Sequence, residues 1–88
     1  MLKADFTRQF KKDYKLANKR SWNISLVDAI ISDFMNEIPL DEKHKDHPLT
    51  GNHLGFRECH IKPDSLLIYQ VGNGVIVFVR MGSHSDLF

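Results

Sequence analysis

Four of the five histidines in this chain, His47, His53, His60 and His84, fall between Asp46 and Phe88. Imidazole titrates near pH 6.5 (about that value in free peptides), so one ring can take a proton while another gives one at neutral pH. Cleavage of a ribose phosphodiester needs both acts: removal of the 2′-hydroxyl proton and protonation of the leaving 5′-oxygen. Each is worth about 10²–10⁴ in rate. A guanidinium can carry the charge that builds on phosphorus, and Arg57 and Arg80 are the candidates. Such an attack needs no metal and no cofactor.

A lone histidine in a loop is ordinarily a solvated polar residue, so the chemistry depends on several being gathered. His60 ends one expected strand and Asp64 begins the next across a tight turn, which can bring imidazole and carboxylate together. His47 sits in the loop leading into the first of these strands, and His84 follows the last. An antiparallel meander returns the chain on itself, so these groups can converge at one end of a sheet. His44 and His53 read as bystanders, and Cys59 as a small buried strand residue. His44 and His47 lie three apart with Asp46 between them. With one cysteine and no Cys-x-x-Cys or His-Glu-x-x-His pattern, a structural zinc site is not expected.

The elements that would hold these residues are legible in the spacing. Leu2 to Asp5 fits a short edge strand. From Phe6 the period is helical: Phe6, Phe10, Tyr14 and Ala17 form one stripe, with Arg8, Lys12, Lys15 and Lys19 on the opposite side. Asn18 to Asn23 breaks the pattern. A second helix follows, with Ser25 as N-cap, an apolar face from Leu26 to Ile38, and Pro39 as its stop. Pro39 to His53 is a long polar connection of the kind that often carries function. Strands are expected over Leu54–Ile61, Leu66–Val71 and Val75–Met81, joined by Lys62-Pro63-Asp64-Ser65 and by an Asn73-Gly74 hairpin turn. The order β-α-α-β-β-β predicts an α+β fold, an antiparallel sheet with a two-helix hairpin on one face.

Eighty-eight residues make a single domain over 1–88, and one cysteine allows no intrachain disulfide, so stability must come from one apolar core. No signal peptide or membrane-length apolar run is apparent, which predicts a soluble, cytoplasmic protein with no membrane partner. The net charge of +1 conceals a split. Residues 3–20 hold seven Lys or Arg against Asp5 and Asp13, a net of +5, whereas residues 28–46 hold six acids against Lys43 and Lys45, a net of −4. Both can be ordinary solvated faces, yet a cationic row on a rigid helix can also track phosphates.

The second half carries a more specific pattern. Asp46-His47-Pro48-Leu49-x-Gly51, Gly55-x-Arg57-Glu58-x-His60-Ile61-x-Pro63-Asp64, Leu67-Ile68-Tyr69 and Arg80-x-Gly82-Ser83-His84-x-x-Leu87-Phe88 follow in order. Together they resemble the YafQ-type branch of the RelE/ParE toxin superfamily. The resemblance implies a RelE-like fold and a type II toxin that acts as a ribosome-dependent mRNA interferase. It implies a cognate antitoxin as partner, mRNA on the ribosome with its ribosomal RNA as target, and operator DNA met only through the antitoxin. Family catalytic positions fall on His47, His60, Asp64, His84 and Phe88. His47 or His60 would be general base and His84 general acid, with Asp64 orienting an imidazole and Phe88 stacking on a base. Arg57 and Arg80 would hold phosphate, and Lys12, Lys15 and Lys19 would lean on ribosomal RNA. Some relatives carry a tryptophan after the aspartate; Ser65 stands here. The competing expectation is a catalytically silent module that keeps only the binding surfaces.

Overall fold

The computed structural model describes residues 1–88. Its elements are β1 (Lys3–Phe6), α1 (Arg8–Lys19), α2 (Ile24–Met35), β2 (His47–Pro48), β3 (Arg57–Lys62), β4 (Ser65–Gly72), β5 (Val75–Gly82) and a short α3 (His84–Leu87). The 3-10 turns Glu42–His44 and Gly51–His53 shape the long connection. The five strands lie in the order β1-β5-β4-β3-β2, with the α1–α2 hairpin packed on one face.

The sheet is mixed rather than antiparallel. β2, β3, β4 and β5 pair antiparallel in sequence, but β1 runs parallel to β5. Tight hairpins dictate direction only between the strands they join. β1 reaches β5 with no turn between them, so its direction is set by how the two helices return the chain. The Asn73-Gly74 turn forms as the sequence predicts, with φ of 53° and 77° at its two central residues, the geometry that favours Asn-Gly.

Three helix boundaries differ from the periodicity. Phe6 belongs to β1, and Thr7 caps α1 by accepting the Phe10 N–H at 3.0 Å. The same hydroxyl donates to the Val79 carbonyl at 2.7 Å, which fastens the start of α1 to β5. Asn23, not Ser25, caps α2, its side-chain oxygen accepting the Leu26 N–H at 3.2 Å. α2 ends at Met35, well before Pro39, because Glu37 turns left-handed at φ 57° and the Ile38 N–H folds back onto the Asp33 carbonyl at 2.9 Å. The α1–α2 link is correspondingly shorter than the Asn18–Asn23 break.

Between the helices and the sheet lies one cluster that includes Phe10, Ala17, Val27, Ile30, Cys59, Ile61, Leu67, Tyr69, Ile76, Phe78 and Met81. Burial pushes the Cys59 thiol up to about 12, which keeps it protonated and inert. β3 shows how a strand divides its labour. Cys59 and Ile61 enter this core, while Glu58 and His60 point to the opposite face.

Candidate active site

The open face of the sheet is built from three separate pieces of chain. β3 supplies Glu58 and His60. The long connection touches β3 as β2, where His47 pairs with Glu58 and Pro48 with Arg57. The third piece is the tail after β5, where α3 carries His84 and leads to Phe88.

Each piece is pinned. His44 is buried, and its Nδ1–H donates to the His60 carbonyl at 2.7 Å. It therefore ties the connection to β3 and is a structural residue rather than a solvated bystander. The tail is held by a capping box in which Ser83 and Asp86 satisfy each other's backbone N–H groups. The Ser83 N–H also holds the Asp86 carboxyl below the usual carboxylate range, with the Arg20 guanidinium 3.4 Å away adding to it. Gly82 is buried where a Cβ would stand 3.0 Å from the Asp86 Cβ, so any larger residue would have to push α3 outward slightly.

These constraints place His47, His60 and His84 in a row. Ring centroids are 6.2 Å apart from His47 to His60 and 6.2 Å from His60 to His84. Phe88 continues the row, 6.0 Å from His84, and its ring meets His53 edge-on at 5.3 Å. His53 thus belongs to the rim of the site, which its position in a polar loop did not suggest.

The carboxylate among these rings is Glu58. It is 5% exposed, and its Oε1 lies 3.4 Å from His60 Nε2 and 3.9 Å from His47 Nε2. His60 Nδ1–H donates to the Pro63 carbonyl at 3.3 Å, and His47 Nδ1–H donates to the Lys45 carbonyl. With those protons on Nδ1, each Nε2 presents a lone pair. A lone pair facing a carboxylate is repulsive, so the contacts with Glu58 are favourable only when a proton sits on Nε2 or on Glu58. The signal for Glu58 was its i, i+2 relation to His60, which puts the two on one strand face.

Asp64 lies exposed in the β3–β4 turn, and the hydrogen bond from that turn to the His60 ring is made by the Pro63 carbonyl. Arg57 points to the helix side of the sheet, where its Nε–H donates to the Tyr69 hydroxyl at 3.1 Å and it pairs with Asp46 at 3.4 Å. Tyr69 donates in turn to Asp46. Arg57 is therefore not at the imidazole face, because the strand's alternation sends it to the other side. Arg80 sits beside a bulge at Val79, where pairing shifts from Ile68↔Arg80 to Tyr69↔Phe78. Its guanidinium donates twice to Asp13 of α1, at 3.1 and 3.2 Å, and Asp13 also accepts the Met81 N–H at 3.2 Å. Lys12, Lys15 and Lys19 are exposed on α1, away from the core and so across the sheet from the imidazoles. No cluster of three or more His, Cys, Asp or Glu side chains has metal-holding geometry.

Two helices on one face of a five-stranded mixed sheet is an architecture this chain shares with small bacterial toxins already solved. A metal-bound toxin from Helicobacter pylori superposes with a TM-score of 0.93 at 42% identity over the full length of both chains. YafQ in an Escherichia coli DinJ–YafQ complex gives 0.92 at 35% identity, covering 100% of this chain and 99% of that one. The E. coli mRNA interferase toxin YafQ is 36% identical over 85 residues, 96% of this chain and 92% of its own. The family model for the YafQ toxin, described as the bacterial toxin of a type II toxin–antitoxin system, matches residues 2–88. The chain belongs to the YafQ family.

Proposed function

We propose that this chain is a metal-independent mRNA interferase, a toxin that cleaves messenger RNA in the ribosome's decoding site and is neutralised by a cognate antitoxin. The observation that carries the reading is the row of His47, His60 and His84 around buried Glu58. In-line attack puts the entering and leaving oxygens on opposite sides of phosphorus, so acid and base must flank the phosphate. Rings 6.2 Å apart have that reach. His60 or His47 takes the 2′-hydroxyl proton, and His84, on the tail side, protonates the 5′-oxygen.

Glu58 takes the orienting part expected of Asp64, since its carboxylate contacts two of the imidazoles. Asp64, exposed at the adjoining turn, is left to meet the RNA. Phe88, 55% exposed beside His53 and His84, offers a ring for a base to stack on, worth about 1–3 kcal/mol. Arg80 is held by Asp13 with its side chain 36% exposed, enough to present a fixed charge to phosphate. Arg57 acts from further off, by tying Asp46 to Tyr69 beside His47. The partner reading is supported by the relative solved as a DinJ–YafQ complex. Operator DNA is met through the antitoxin, and the toxin works in the cytoplasm.

Inducing the chain alone and mapping messenger 5′ ends tests the proposal. New ends within translated codons are expected, and His84→Ala should remove at least about 99% of them while the protein stays folded. Growth arrest with no new ends would leave the silent binding module as the function.

A further inference from the structure

We infer that His53 is a specificity-determining residue: with Phe88 it forms a corner for the base on the 3′ side of the cut, and its N–H selects a purine there. The inference rests on the cleavage reading above and adds which base the rim of the site reads and by what contact.

The two rings come from distant parts of the chain, and backbone bonds hold each in place. Phe88 closes α3, its N–H donating to the His84 carbonyl at 2.8 Å. His53 ends the 3-10 turn Gly51–His53, in a loop closed at its base by the Leu49 N–H on the Phe56 carbonyl at 2.9 Å. Within that loop the His53 carbonyl accepts the Phe56 N–H at 3.1 Å. Gly51 and Gly55 turn left-handed on either side of His53, at φ 65° and 96°. Neither ring is needed to hold its own segment. The rings of His44, His47 and His60 each bond a backbone carbonyl, whereas the exposed His53 ring makes no hydrogen bond.

The ring planes of His53 and Phe88 stand at 87° with centroids 5.3 Å apart. An edge-to-face pair serves packing where it is buried; here Phe88 is 55% exposed. A planar base laid on Phe88 turns its edge toward His53. Imidazole carries at least one N–H in every protonation state. A purine has N7 as an acceptor on its edge, and a pyrimidine has carbon at the matching place. The N–H therefore gains a partner from a purine and loses water without one from a pyrimidine.

His84 fixes which base this is. Its ring lies 6.0 Å from Phe88, and it is the group proposed to protonate the leaving 5′-oxygen. That oxygen belongs to the nucleotide after the cut, so the base beside Phe88 is that nucleotide's own.

The test uses ribosome-bound messages that differ only in the nucleotide after the mapped cut. It is a purine, the same purine as its 7-deaza analogue, which keeps the pairing edge and lacks N7, or cytosine. The parent should cut the purine message about three- to tenfold faster than the 7-deaza message, the worth of one hydrogen bond. The cytosine message should be slower than the purine one by at least as much. In His53→Ala the purine and 7-deaza rates should agree within about twofold. In His53→Gln, whose amide restores a donor, the gap should reopen. Phe88→Leu should slow all three messages, because stacking serves every base. A parent that cuts the 7-deaza message as fast as the purine one overturns the inference, as does a His53→Ala chain that keeps the parent's gap. Either result leaves the cleavage reading standing, since cutting itself is seen. Should His53→Ala not fold, the parent's gap and its retention in His53→Gln decide. A parent that cuts none of the messages removes the cleavage reading, and the corner's role with it.

Discussion

The two faces of the sheet treat polar groups in opposite ways. On the helix side, Asp13 accepts two bonds from Arg80 and one from the Met81 N–H at 3.1–3.2 Å, and Arg57, Tyr69 and Asp46 close a second network. On the open side, Glu58 is equally buried, yet its imidazole contacts are 3.4 and 3.9 Å long. Asp13 is saturated by short bonds and holds structure together. Glu58 meets its imidazoles only through these longer contacts, to rings whose Nε2 atoms make no other hydrogen bond. If Glu58 works as proposed, burial alone does not separate a structural carboxylate from a working one; the tightness and number of its bonds does.

Exchanging the two carboxylates' chemistry breaks this contrast most sharply. Glu58→Gln keeps the volume but cannot pair with an imidazolium, and cleavage should fall about ten- to a hundredfold in single-turnover assays with ribosomes. Its denaturant midpoint should stay close to the parent's. Asp13→Ala should do the reverse. It strands the Met81 N–H and the Arg80 guanidinium, costing about 1–3 kcal/mol of stability, while cleavage per folded molecule falls only as far as a loosened Arg80 weakens the hold on phosphate. Similar stability losses in the two variants would erase the distinction.

A smaller effect concerns reach rather than chemistry. Reversing Lys12, Lys15 and Lys19 should weaken ribosome association and flatten its salt dependence, by roughly 0.7–0.9 in slope for each phosphate no longer neutralised. Unchanged binding at low salt would make that row an ordinary solvated face. The smallest effect concerns the tail. Because the folded Asp86 carboxyl sits below its ordinary range, its hold on Ser83 is complete above pH about 4 and is lost as pH falls through the folded value. Trp22 lines the same crevice as Asp86 and Arg20, so its fluorescence should report release of α3 in acid. Asp86→Asn should abolish that acid step.

Much of this was legible in the sequence because it is local. The helical stripe of α1, the Asn73-Gly74 turn and the alternation of β3 are set by neighbours a few residues away. The meander's return also foretold that His60 and His84 would meet. What the sequence hid is long-range. Nothing near Lys3 announces that β1 will lie parallel to β5, and nothing near Arg80 announces that a bulge and Asp13, 67 positions away, will capture it. Arg57 and Glu58 are adjacent, yet strand alternation sends one to each face, so a motif read as a unit merges two roles. His44 looked idle only because its acceptor, the His60 carbonyl, lies on another element.

Imidazoles alone, on this reading, drive attack by the ribose 2′-hydroxyl. The direct test uses a ribosome-bound message with a single 2′-deoxynucleotide on the 5′ side of the mapped cut, and toxin stripped of metal by chelator that is then removed. No cleavage is expected at that link, and full cleavage of the all-ribose message to 2′,3′-cyclic phosphate and 5′-hydroxyl ends. Cutting of the deoxy link, or products bearing 5′-phosphate, would contradict it.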